Sequence, residues 1–323
     1  QWRSQRNELN HHLVKLARVL KTAGKLDLIF CIVYDDFLLV ETAKLLRSLG
    51  VPMVNYHVDM AFQWYRVIRT APYFDVLAVA QLTNAESLRP YNLNIEWMPM
   101  AANPDFYFRH AVPRSSYEHA VSFIGSFNPF RRALLAECVR KGIRPAVFGR
   151  GWNSESSSPY RFAWDPYKIV HDLRYYAAAR FKAEGSESIL GPLRRKHARR
   201  SSFQELEGAD FRGPCDDASL PSIFNESQVN LGFSDTGWHS ETKVRRSKNL
   251  QCRLRDFEVP MAGGFYLVQE APDHSQYYKL GEEIVVWSEP GDFIDKMIFY
   301  SRHERAAARI REAGQKRVLG EHT

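Results

Sequence analysis

Val121-Ser122-Phe123-Ile124-Gly125-Ser126-Phe127-Asn128-Pro129-Phe130-Arg131-Arg132 is the stretch that decides the fold. Residues 120–124 have the apolar run of a strand, and Gly125-Ser126 supplies a turn. The spacing then predicts a helix from about Pro129 to Lys141, a stop at Gly142, and a strand over Pro145 to Phe148. Strand, glycine turn, helix, strand is the start of a right-handed βαβ unit in a parallel sheet. In such a sheet ligands bind outside the carboxyl ends of strands. Gly125 lets backbone approach a ligand, with Ser126 beside it. The first N–H groups of the helix favour anions, and Arg131 is a candidate to neutralise a diphosphate. A tight turn carrying two solvated arginines is the alternative.

The same rhythm extends in both directions. Upstream, Leu9, Leu13, Leu16, Ala17 and Leu20 recur at helical spacing, predicting an amphipathic helix over residues 5–24. The apolar run 28–33 reads as a strand buried on both faces. Helix 38–49 and strands over 51–56, 76–79 and 95–98 follow. Prolines at 99, 104 and 113 mark a connection. Downstream come a strand near Phe211, helix 219–226, strand 228–233, helix 254–261, strand 265–268, strand 284–286 and a helix over 304–319. Residues 153–206 interrupt this alternation with a serine-rich start, an aromatic and basic helical stretch, and Arg194-Arg195-Lys196. The fold class is therefore α/β, with two parallel-sheet units. The expected boundaries are 1–104, a linker at 105–119, 120–300 with the insertion 153–206, and a closing helix at 301–323. Because the chain starts at Gln1, the first unit is expected to lack its opening strand.

Composition narrows the function. With 323 residues, 45% hydrophobic and 25% charged, the chain is long enough for two cores and unlike a disordered protein. Its longest apolar run is far below the ~20 residues a membrane span needs, and the opening residues have no signal-peptide pattern. Four dispersed cysteines fit reduced thiols in a cytoplasmic protein. The net charge of +7 is concentrated around 194–200 and 243–255. Neither cluster has the interleaved aromatics of single-strand binders, so no nucleic acid is expected. The eleven histidines show no metal-ligand spacing.

A second segment carries chemistry: Arg255-Asp256-Phe257-Glu258-Val259-Pro260-Met261-Ala262-Gly263-Gly264. Glu258 falls in a short helix before a glycine pair and an apolar strand, where a carboxylate can accept from two ribose hydroxyls. A helix-surface glutamate is the alternative. His57 and Asp59 end a predicted strand of the first unit, and either can serve as a general base. Capping of the following helix, 60–69, is the other role open to Asp59. Capping also explains Asp35-Asp36 most simply. Trp238-His239 reads as a loop able to contact a sugar. In the insertion, Tyr167, Ile169, Val170, Leu173, Tyr175, Tyr176 and Phe181 with the nearby cations fit either a peripheral contact with an anionic membrane or an extra helical layer.

From Val121 onward the sequence resembles the CgeB-like (spore maturation) family of group 1 glycosyltransferases. The shared parts are the Phe123-Ile124-Gly125-Ser126 turn with Arg131, the segment Val147 to Trp152, Arg255-x-Phe257-Glu258 with Ala262-Gly263-Gly264, Gly281 to Val285, and Arg317 to Thr323. The resemblance implies a GT-B fold, two Rossmann-like units facing each other across a cleft. The nucleotide-sugar donor would be held by the second and the acceptor would face the first. It implies Glu258 on the ribose, Gly125, Ser126 and Arg131 near the diphosphate, Arg255 as a further phosphate contact, and Gly263 and Gly264 within the donor-binding set. Asp59 and His57 are then the candidate catalytic bases. The activity implied is transfer from a UDP- or GDP-sugar to a hydroxyl of a polysaccharide, protein or lipid-linked acceptor, with no cofactor and no metal. Related retaining enzymes carry two glutamates with seven residues between them, and Leu250 stands at the earlier position. That leaves the stereochemistry open and keeps two alternatives: a non-catalytic nucleotide-sugar or partner-binding protein, and a nucleotide-sugar epimerase.

Overall fold

The computed structural model describes residues 2–58, 63–111, 116–152, 166–184, 208–235 and 250–323. They form two compact units. The first takes the chain up to Pro99 together with a later helix; the second takes the rest.

In the first unit, strands β1 (Ile29–Cys31), β2 (Met53–His57), β3 (Val76–Val79) and β4 (Ile95–Trp97) lie side by side in that order, all parallel. Helices α1 (Trp2–Thr22), α2 (Val40–Arg47) and α3 (Ala85–Leu88) fall between or before them. The apolar side chains of β2 and β3, with Leu38, Ala43, Leu46 and Leu88, build the core. Each large apolar side chain buried there contributes about 1.5–3 kcal/mol. One expectation fails. The run 28–33 is not buried on both faces: Phe30 is 48% and Ile32 62% exposed. β1 is an edge strand, so only part of it meets the core.

The aromatic stretch of the insertion is helix α6 (Pro166–Glu184), and it packs on this first unit although it lies between strands of the second in sequence. Tyr176 is buried among Trp64 and Tyr65, and its hydroxyl donates to Asp35 Oδ2 over 3.0 Å. Asp35 also accepts from the Arg69 and Thr70 amides and the Thr70 hydroxyl. Asp36 pairs with Arg66 and with Lys168 of α6. Neither aspartate caps α2, whose N-cap is Leu39. They tie two distant pieces of chain together instead.

The second unit has six parallel strands, β5 (His119–Ile124), β6 (Ala146–Phe148), β7 (Asp210–Gly213), β8 (Ser227–Gly232), β9 (Tyr266–Gln269) and β10 (Val285–Trp287), in the order β10-β9-β8-β5-β6-β7. This is the doubly wound 3-2-1-4-5-6 arrangement. Winding reverses between β5 and β8, which pair through Val121–Val229 and Phe123–Leu231. Helices α5 (Pro129–Arg140), α7 (Leu220–Glu226), α8 (Arg255–Met261), α10 (Pro290–Arg302) and α11 (Glu304–Glu321) pack around the sheet, and the short α9 (His274–Tyr277) follows β9. Phe123, Leu135, Val147, Val229, Leu267, Trp287 and Phe293 form its core.

Candidate functional site

The turn after β5 is built to the expected pattern. Asn128 caps α5 by accepting from the Arg131 amide over 2.9 Å. Pro129 follows at the first helical position, where it needs no partner for an N–H. Gly125 O accepts from Trp152 Nε1 over 2.8 Å. The neighbouring turn after β6 presses against it: a Cβ on Gly149, at φ +150°, would stand 2.1 Å from Gly125 O. Only glycine fits that approach. Arg131 donates from Nη1 to Ser126 O over 2.8 Å, and burial pushes its pKa down to about 10. Arg132 is 4% exposed, so a turn carrying two solvated arginines does not describe this segment.

A second group stands at the start of α8. Glu258 is 4% exposed. Its Oε1 accepts from the Tyr107 hydroxyl over 2.7 Å, and Oε2 is paired with Arg255. Tyr107 comes from α4 (Pro104–Tyr107), capped by Asn103. Burial, then the bond to Glu258, hold its phenol pKa well above the ordinary range. The Arg255 guanidinium lies 5.5 Å from the Phe224 ring.

Beneath Arg255, Asp256 organises a buried network. His274 Nδ1 accepts from the Ala271 amide over 3.0 Å. That bond sets the tautomer, so Nε2 carries the proton and donates to Asp256 Oδ2 over 2.8 Å. Tyr266 donates to Oδ1, the Arg253 amide to Oδ2, and Tyr278 to the Asp256 carbonyl. Cys252, Asp256 and His274 place metal-type donor atoms within 4.8 Å of one another. Two ligands of one zinc ion would stand about 3.3 Å apart at tetrahedral bond lengths. The 2.8 Å separation of His274 and Asp256 is that of a direct hydrogen bond, and the oxygens of Asp256 already have donors. The trio therefore fits a hydrogen-bonded support for α8 better than an ion.

The structure brings Gly125, Ser126 and Arg131 together at the end of β5, and Arg255 with Glu258 at the start of α8. It does not bring Gly263 and Gly264 to the same edge. They close α8 and precede β9, at the amino end of the strands. Gly263 has φ +70°, and a Cβ there would be 2.8 Å from Ala111 Cα. On Gly264 a Cβ would meet Phe224 O at 2.8 Å. Their role here is packing. His57, at the carboxyl end of β2, is 2% exposed with its ring edge-on to Tyr34 at 5.1 Å. Asp59 and Trp238-His239 lie outside the described residues. Leu250 bridges to Asp235, just beyond β8.

Three participants were not singled out in the sequence. Arg253 was one cation in a basic stretch. Tyr107 sits in a connecting segment with no motif. His274 reaches Asp256 across 18 residues with no periodic signal.

Two α/β units, the second with a crevice at the reversal of its strand order, define a protein of the GT-B fold. Solved structures share it. HepE of Anabaena in complex with UDP is 11% identical, with a TM-score of 0.59 over 95% of this chain and 77% of that one. Sucrose-phosphate synthase of Thermosynechococcus elongatus is 10% identical, with a TM-score of 0.56 over 98% and 75%. A mutant O-GlcNAc transferase of Thermobaculum terrenum is 12% identical, with a TM-score of 0.52 over 96% and 51%. The family model described as glycosyl transferase-like matches residues 131–323, and the chain belongs to that family. No curated protein matches it.

Proposed function

We propose that this glycosyltransferase moves a sugar from a nucleoside diphosphate sugar, a UDP- or GDP-sugar, to an acceptor hydroxyl. The observation that carries this is an arginine on a capped helix start, its Nε buried, beside the point where the strand order reverses. The acceptor oxygen attacks the anomeric carbon while the bond from that carbon to the diphosphate breaks, its electron pair leaving with the diphosphate. Arg131 and the first α5 amides meet the growing charge, the electrostatic form of transition-state stabilisation. That charge is met without a metal or cofactor. Glu258 holds the ribose, Arg255 assists at the phosphates, and Asp59 or His57 takes the acceptor proton. The HepE structures, solved with UDP and with UDP-glucose, favour uridine as the base. Within the family we place the chain near the CgeB-like members, on the residues quoted above.

Polysaccharide, protein and lipid-linked acceptors all suit this chemistry. Among the described residues no helix is long and apolar enough to cross a membrane. Tyr167, Val170, Leu173 and Phe181 of α6 are each more than half exposed, which favours peripheral contact with a membrane surface. The described cysteines are free thiols, in keeping with the cytoplasm. Leu250 at the position of a sugar-side glutamate favours a second reading, a nucleotide-sugar binder without transfer.

Calorimetric titration with UDP, GDP, ADP and TDP and their sugars tests the donor site. Saturable binding of one nucleotide, weakened at least ten-fold by Glu258→Ala, is expected. Folded protein that binds none of them overturns the assignment.

A further inference from the structure

Two guanidinium groups lie at the carboxyl ends of β5 and β8, the neighbouring strands where the strand order reverses. From the β5 side, Arg131 bonds a carbonyl, Ser126 O, and its buried Nε has no hydrogen-bond partner. Its Cζ lies 5.5 Å from the Phe123 ring centre. From the β8 side, Arg253 donates to Phe233 O over 3.1 Å and to Asp235 O over 2.8 Å. Both are backbone carbonyls of the segment that continues β8. The two strand ends are neighbours, with the Phe123 and Phe233 rings 4.9 Å apart. All these bonds leave both positive charges formally unmatched by a carboxylate in contact. Among the described residues neither guanidinium forms an ion pair. Burial lowers the pKa of Arg131, the charge of Arg253 lowers it further, and Asp235 opposes them. An anion seated between the two arginines would relieve that repulsion.

We propose that Arg253 is a second ligand of the donor diphosphate, acting with Arg131 at these strand ends. The proposal rests on the donor-site assignment above. A diphosphate suits the place better than a single carboxylate. It offers oxygens on two phosphorus atoms to two planar donor forks, and guanidinium groups match phosphate geometry. As the bond to the sugar breaks, charge accumulates on the same oxygens, so Arg253 also stabilises the leaving group.

The test compares a nucleoside diphosphate with its nucleoside. UDP, GDP, uridine and guanosine are titrated calorimetrically into wild type, Arg253→Gln and Arg253→Lys, with melting temperature as the folding control. Glutamine keeps donors for the carbonyls and removes the charge; lysine keeps the charge and loses the fork. The expected result is a fall of about 10–100-fold in diphosphate affinity for Arg253→Gln, a smaller fall for Arg253→Lys, and unchanged nucleoside affinity. Equal weakening of nucleoside and diphosphate overturns the proposal and makes Arg253 a support of the β8 segment. Unchanged diphosphate affinity in Arg253→Gln also overturns it while leaving the donor site standing. Wild type that binds none of the four compounds overturns the donor site itself, and this proposal with it.

Discussion

The Tyr107 hydroxyl donates to Glu258 Oε1 over 2.7 Å, while Arg255 occupies the other oxygen of the same carboxylate. Both oxygens are thus engaged before any nucleotide arrives, and a ribose hydroxyl must displace or share one of them. The raised phenol pKa keeps Tyr107 a donor throughout the ordinary pH range. Tyr107→Phe frees Oε1, and nucleotide affinity is expected to rise by about 3–10-fold, the worth of one modest hydrogen bond. Calorimetry reads the change. A drop in affinity instead would make Tyr107 a ligand contact rather than a competitor.

His274 satisfies the Ala271 amide and Asp256 at once, with no exposed surface. His274→Ala strands a buried N–H and removes one donor from a buried carboxylate. A loss of about 2–4 kcal/mol is expected, read from urea unfolding of the second unit. A chelator such as EDTA is expected to leave the melting temperature of wild type unchanged. A chelator-induced drop would instead make Cys252, Asp256 and His274 a metal site.

Acid should loosen the attachment of α6. Burial raises the pKa of Asp36, but Arg66 and Lys168 outweigh it, and the net value lies below 3.8. A folded pKa below the unfolded one gives stability that is present above about 3.8 and lost as pH falls through the folded value. Asp35 has the opposite sign. Burial raises its pKa, so its contribution is present at low pH and lost as pH rises through the folded value. Lys168→Met removes one cation from Asp36. It is expected to cost about 1 kcal/mol near neutral pH, the pair being partly exposed. The difference from wild type should vanish below the folded pKa of Asp36. A pH-independent difference in urea midpoint would mean that Lys168 acts by packing alone.

The exposed side of α6 gives a further check. Tyr167, Val170, Leu173 and Phe181 share it with Arg174 and Lys182, a pattern suited to an anionic lipid surface. The chain is expected to pellet with vesicles of mixed phosphatidylcholine and phosphatidylglycerol. Leu173→Asp should reduce that pelleting about ten-fold without changing the melting temperature. Pelleting that is absent, or indifferent to Leu173→Asp, removes the membrane contact.

Much of this protein was legible along the chain. Strand–turn–helix alternation is a local property, so β5, its glycine turn and α5 appear nearly where periodicity places them. Where sequence expectations missed, sheet position was the cause. The run at 28–33 has the composition of a doubly covered strand but stands at an edge. Gly263 and Gly264 follow Glu258 closely, yet α8 carries them to the other end of the strands.

What the sequence by itself determined is the α/β alternation, the strand, glycine turn and helix that carry Arg131, the placing of Arg255 and Glu258 on one short helix, and the glycosyl transferase-like family. Each depends on residues a few positions apart, whose spacing maps directly onto a strand, a turn or a helical face. Only the tertiary structure decided that α6 belongs with the first unit, that Tyr107 reaches Glu258 across 151 residues, and that Arg253 and Arg131 bond the chain at the ends of two neighbouring strands where the strand order reverses. Those contacts depend on which strands become neighbours, and strand order is set by packing of the whole sheet, not by any local period in the chain.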